Sequence, residues 1–185
     1  PSGRIFMYNT NNWLTYNEKK SRAELKSVRG VVISSDGKHI YAVTPGSLGS
    51  TNGKMILYRR TTQTGTQELV DIGFKQRADL VNAKSVTISP DGKSVYAVAS
   101  TSSTGSILRW DRLSSNGYLT WKKTVTGVVG ATTVTVTPDN TKVFVGAKNA
   151  AGPYVIYWDR DTSTGALSDQ MVETVSDLQG DISVA

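Results

Sequence analysis

Few side chains in this sequence are suited to acid–base or nucleophilic chemistry. The only histidine is His39, directly after Asp36-Gly37-Lys38. An imidazole titrates near neutral pH and could move a proton there. It would need a nucleophile and an orienting acid beside it, and the sequence offers no second candidate base nearby. The counterparts of His39 in two related segments are Ser94 and Lys142, so the position reads as a solvated hairpin residue. There is no cysteine, which excludes thiol nucleophiles, disulfides and cysteine-ligated metals. No Gly-x-x-x-x-Gly-Lys phosphate loop occurs. Asp161 and Asp169 sit in turn-like segments without EF-hand spacing. No catalytic residue, metal or cofactor is therefore expected.

The carboxylates lead to the elements that hold them. Asp36, Asp91 and Asp139 recur within VVISSDGKHIYAV from Val31, VTISPDGKSVYAV from Val86 and VTVTPDNTKVFVG from Val134. A fourth copy begins at Ile182, and the four starts are 55, 48 and 48 residues apart. That period suits a four-stranded propeller blade. Each full copy continues with a third strand (MILYRR from Met55, ILRWDR from Ile107, VIYWDR from Val155). Gly65, Gly117 and Gly165 then lie five residues after Arg60, Arg112 and Arg160. A fourth strand follows near Leu69, Leu119 and Leu167. GRIFMYN from Gly3 and WLTYNEKK from Trp13 read as the third and fourth strands of an incomplete copy.

Local chemistry supports this reading. Asp-Gly and Asp-Asn between alternating apolar runs reach positive φ cheaply, as a tight hairpin requires. Pro90 and Pro138 stop the preceding strand. Tyr8, Tyr58, Trp110 and Trp158 share one position, which points to packing between blades. Trp13 and Tyr118 share another, beside a turn, and Tyr16 and Trp121 fall on the outermost strand. One repeat cannot bury both of its faces, so copies must stack.

The expected fold is all-β: a β-propeller of four-stranded antiparallel blades, with three full repeats and a split fourth blade. Its fifteen strands divide into a partial blade at 1–28, blades at about 29–82, 83–130 and 131–178, and a closing strand at 179–185. The split blade lacks its second strand. This favours part of a larger ring over a defective four-bladed one. A second copy or another chain would then complete the ring.

SPDGKSVYAVAS (residues 89–100), GSILRWDRLSSNGYLT (105–120) and VIYWDRDTSTGALS (155–168) together resemble the lactonase-like propeller family. That family includes 6-phosphogluconolactonase-type and carboxy-muconate cyclising enzymes. The resemblance implies seven blades and a lactone-hydrolysing or cycloisomerising activity with a His, Arg and Glu cluster at the channel mouth. Arg29 is the residue here that matches such a cluster.

Propellers bind on the face where the inner strands begin. Arg29, Lys84, Thr132 and Asp181 precede or open the inner strands, and Asn52, Thr101, Lys148 and Asn149 lie between second and third strands. These positions differ between repeats, and variation on a fixed scaffold is where specificity resides. Cationic, hydroxyl and amide groups suit an anionic or polyhydroxylated ligand. The reading is a non-catalytic, lectin-like or protein-binding module, with the lactone hydrolase or cycloisomerase as the alternative. The formal charge of +6, densest over Lys19, Lys20, Arg22, Lys26 and Arg29, comes without a nucleic-acid-binding motif, so nucleic acid is not an expected partner. No apolar run is long enough to span a membrane. A secreted location is slightly favoured.

Overall fold

Alternation of apolar and polar residues puts successive side chains on opposite faces of a strand. In the computed structural model the described residues are 3–9, 15–46, 51–63, 66–150 and 152–174. They form fourteen strands. A two-stranded sheet holds β1 (Gly3–Asn9) and β2 (Thr15–Arg22). Blade 1 holds β3 (Gly30–Ile33), β4 (His39–Thr44), β5 (Gly53–Gln63) and β6 (Thr66–Arg77). Blade 2 holds β7 (Ala83–Ile88), β8 (Ser94–Ser100), β9 (Gly105–Arg112) and β10 (Leu119–Thr126). Blade 3 holds β11 (Ala131–Val136), β12 (Lys142–Asn149), β13 (Gly152–Arg160) and β14 (Leu167–Thr174). Each sheet is an antiparallel meander in chain order. Short 3-10 turns at Ala23–Ser27 and Ala78–Leu80 lead into blades 1 and 2. The expected closing strand near Ile182, with Asp181 and Trp13, lies outside the described residues, as do the side chains of Tyr8 and Tyr16.

The repeat is reproduced in register. Ile33 pairs with Ile40, Ile88 with Val95 and Val136 with Val143 around the first hairpin of each blade. Gly37, Gly92 and Asn140 take φ values of 66°, 67° and 69° at the same turn position. That left-handed conformation is open to glycine and tolerated by asparagine, which explains the Asp-Gly and Asp-Asn pairs. The aspartate before each closes the turn. Asp36 accepts from Ser34 Oγ and the Lys38 amide, and Asp91 and Asp139 repeat the pattern.

The core lies between blades. Tyr41, Val43, Met55 and Leu57 of blade 1 face Val86, Val95, Leu108 and Trp110 of blade 2. Tyr96, Val98 and Ile107 of blade 2 face Val134, Val143, Val145 and Trp158 of blade 3. Ile40, Ala42, Ile56 and Tyr58 pack backwards, with Leu25, Val28 and Ile5 against them. A second strand is therefore covered on both faces, and every residue of β4 and β8 is buried. Trp110, Trp158 and Tyr58 are all buried, as expected for packing between blades. Truncating such a tryptophan typically costs about 3–5 kcal/mol.

Candidate functional site

In an antiparallel meander, the connections between strands two and three share one end of the sheet with the connections between blades. This places Arg29, Asn52, Lys84, Thr101, Thr132, Lys148 and Asn149 at one end of their sheets. Arg29 is exposed just before β3, its amide donating to Val43 O at 3.0 Å. Lys84 is the exposed second residue of β7. Thr132, at the matching position of β11, is half-buried and donates to Gly146 O at 3.1 Å. Lys148 and Asn149 end β12, exposed, and Asn52 precedes β5, half-buried.

The same end carries a cleft of about 250 Å³ where blades 1 and 2 meet. Its polar lining comes from Asp79, Asn82, Ser100, Thr101, Thr104 and Ser106. Of the residues expected from sequence, Thr101 alone lines it. Thr101 Oγ1 accepts from the amides of Ser103 and Thr104 at 3.2 and 3.0 Å, which fixes the hairpin loop. The base of the cleft is tight. A Cβ on Gly105 would come within 1.8 Å of Val128 O, so only glycine lets β9 start against the next connection.

Asp79 is the charged group of the cleft. Arg77 holds it through Nε to Oδ1 at 2.8 Å and Nη2 to Oδ2 at 2.9 Å. Thr124 Oγ1 donates to Oδ2 at 2.5 Å. Burial works against ionisation, but the hydrogen bonds from Arg77 and Thr124 outweigh it and hold the carboxyl below its usual range. A carboxylate so engaged is a fixed acceptor and a poor general base. The Arg77 guanidinium also lies 4.2 Å over the half-exposed Trp121 ring, so that face of the indole is already covered.

The opposite end of the blades holds a cluster that the sequence reading missed. Arg112, at the end of β9, reaches back to blade 1. Its Nε donates to Tyr41 Oη at 3.0 Å, its Nη2 to Asp36 Oδ2 at 2.8 Å, and its Nη1 to Gly92 O of its own blade at 3.0 Å. Tyr41 Oη donates to Gly117 O at 2.9 Å. Arg160 repeats this on blade 2 with Tyr96 Oη at 2.9 Å, Asp91 Oδ2 at 3.3 Å and Asn140 O at 3.1 Å. Tyr96 Oη donates to Gly165 O at 2.6 Å. Asp36 and Asp91 thus have a second task, locking blade 1 to blade 2 and blade 2 to blade 3. The signal was present in the repeat as a tyrosine in strand two coupled to an arginine closing the next copy's strand three.

His39 belongs to this cluster, which corrects the expectation of a solvated residue: it is 1% exposed. The turn at Gly117 of the next blade covers the ring. Its Nδ1 lies 2.6 Å from Arg112 Nη2 and must accept, so the ring is neutral. Burial first, then the Arg112 charge, push its pKa down. It sits at the far end from the cleft and cannot serve as a base there. Among the described residues no group of three or more His, Cys, Asp or Glu is placed to hold a metal, and no helix is long and apolar enough to cross a membrane.

No protein-family model matches the sequence, and no curated protein matches it. Solved structures do. A Bacteroides fragilis protein assigned as a 6-phosphogluconolactonase aligns over 91% of this chain and 48% of its own, with a TM-score of 0.68 and 22% identity. The periplasmic gluconolactonase of Pseudomonas aeruginosa aligns over 96% of this chain and 52% of its own, at 0.69 and 18%. A Lactobacillus plantarum protein aligns over 97% and 51%, at 0.72 and 19%. The chain spans about half the length of these proteins. Its fold is that of the lactonase-like β-propellers. These neighbours favour the lactone-hydrolase alternative, and the expectation of a non-catalytic glycan- or protein-binding module is corrected accordingly. The repeat signature could not decide between them, because its residues build turns and blade contacts common to both.

Proposed function

We propose that this chain acts on a sugar-acid lactone as part of a lactone-hydrolysing propeller. The observation that carries the reading is the alignment of more than nine-tenths of the chain with propellers, among them a gluconolactonase. In such a reaction water adds to the ring carbonyl, the ring C–O bond breaks, and a hydroxy acid forms with release of a proton. Arg29 and Lys84 stand at matching positions of adjacent inner strands and are both exposed. Their charge would favour the developing oxyanion and the product carboxylate. The hydroxyl groups of the neighbouring cleft suit a polyhydroxylated ring. Asp79, pinned by Arg77, would accept hydrogen bonds from ligand hydroxyl groups. The test is base uptake in a pH-stat with a gluconolactone substrate. Hydrolysis above the spontaneous rate, reduced about tenfold or more in Arg29→Ala and Lys84→Ala, is the expected result; each step of ten is about 1.4 kcal/mol of lost transition-state binding. A rate equal to the spontaneous one, or unchanged in both variants, would overturn the reading.

A further inference from the structure

We propose that Asn82 is a specificity-determining residue of the cleft between blades 1 and 2, where its carboxamide binds a hydroxyl group of the sugar-acid lactone. The inference rests on the lactone-hydrolase reading and names a contact within it. It starts from two equivalent residues. Asn82 and Gly130 stand directly before β7 and β11, next to the matching Ala83 and Ala131. Both take a left-handed conformation, with φ of 62° and 71°. Both accept a hydrogen bond from the same place on the second strand: Ser100 N donates to Asn82 O at 3.3 Å, and Lys148 N to Gly130 O at 3.0 Å. Glycine takes this conformation without steric cost, and a side chain disfavours it. In blade 3 only glycine fits, since a Cβ on Gly130 would come within 1.8 Å of Lys148 O. In blade 2 the backbone makes room for a side chain at the same place.

The side chain so accommodated lines the cleft. Asn82 is exposed there, and among the described residues its carboxamide makes no hydrogen bond. A residue held in a disfavoured conformation without a structural partner points to a use for its side chain. Its chemistry complements its neighbour in the cleft. Asp79, held ionised by Arg77 and Thr124, can only accept hydrogen bonds. The Asn82 carboxamide can donate as well as accept. Two adjacent hydroxyl groups of a sugar ring can each do both. One would donate to Asp79 while the next accepts from Asn82. A ring lactone without hydroxyl groups could make neither bond. Asn82 also lies two residues before Lys84, so the contact would orient the ring beside the cation proposed to face the oxyanion.

The test compares the intact chain with Asn82→Gly, which installs the residue that blade 3 carries. Its urea midpoint should be retained or raised, because glycine suits a φ of 62°. The ratio of kcat/KM for gluconolactone over δ-valerolactone should nonetheless fall about tenfold, the loss of one hydrogen bond to the substrate. A readout free of turnover is the side-chain amide resonance of Asn82, identified in proton–nitrogen spectra by its absence from the variant. Titration with gluconate should shift it. A shift without any hydrolysis of gluconolactone would overturn the hydrolase reading and leave the contact with a sugar acid standing. An unmoved resonance, or an unchanged ratio in a chain that hydrolyses gluconolactone, would overturn the inference. A ratio that falls together with the urea midpoint would give Asn82 a structural role and overturn it as well.

Discussion

Replacing Gly117 by alanine tests how the blades meet at the buried histidine. Gly117 has φ of +78°, and a Cβ there would lie 2.0 Å from His39 Cδ2. Two costs combine. A left-handed conformation costs a non-glycine residue about 1–2 kcal/mol, and overpacking a buried site costs about 1–3 kcal/mol. The histidine cannot swing away easily, because it is buried and its Nδ1 is engaged by Arg112. A loss of about 2–5 kcal/mol is therefore expected. Gly127→Ala supplies the internal reference: its φ is +90° and nothing lies within 4 Å of an added Cβ. It should lose only the conformational part. Urea unfolding followed by tryptophan fluorescence reads both, since Trp110 and Trp158 lie in the blade interfaces. Adding His39→Ala to Gly117→Ala should recover the overpacking part. Equal losses in Gly117→Ala and Gly127→Ala, with no recovery in the double variant, would refute the placement of His39 under that turn.

The pH profile of stability should have two descending limbs. His39 has its folded pKa pushed below the ordinary 6.5, so the unfolded chain takes up the proton first. Its contribution is whole above about pH 6.5 and is lost as pH falls from there. His39→Ser, the residue found at this position in blade 2, should flatten that limb in unfolding curves between pH 5 and 7. Asp91 is lowered from 3.8 to about 2; burial opposes the shift, and hydrogen bonds from Ser89, Lys93 and Asn140 with the Arg160 charge produce it. Its contribution is present above pH 3.8 and lost as pH falls through about 2, so Asp91→Asn should reduce the acid-limb slope at pH 2–4. Phe144 stands where Tyr41 and Tyr96 stand in the other blades, and its ring stacks on Tyr157 at 5.3 Å. Phe144→Tyr should change stability by less than about 0.5 kcal/mol, as for surface changes away from such networks.

The strands and hairpin turns were legible because their constraints are local. An Asp-Gly pair between alternating apolar runs restricts the backbone within four residues, and Gly37, Gly92 and Asn140 adopt the required φ. The shared aromatic position was legible because stacked repeats bury the same face each time, as Trp110 and Trp158 do. The face carrying Arg29, Lys84 and Thr101 followed from the parity of a meander. What escaped was set between blades. Arg112 and Asp36 are 76 residues apart, and nothing local tells an arginine to reach backwards. The burial of His39 is imposed by Gly117 of the next blade, while Ser94 and Lys142 at the same position suggested solvent. Asp79 and Asn82 enter the cleft through the connection between blades, whose sequence differs from its counterparts and so gave no repeat signal.

The central claim is that an arginine closing strand three locks its blade to the aspartate and tyrosine of the blade before. Comparing Arg112→Ala with Arg60→Ala by urea unfolding tests it most directly, since the two residues share one repeat position. The Arg112 side chain is 2% exposed and its removal breaks a buried network, while Asp36, at 32%, can be partly rehydrated. The expected loss is about 3 kcal/mol for Arg112→Ala and less than about 0.5 kcal/mol for Arg60→Ala. Equal losses at the two positions, or a loss below about 1 kcal/mol for Arg112→Ala, would contradict the account.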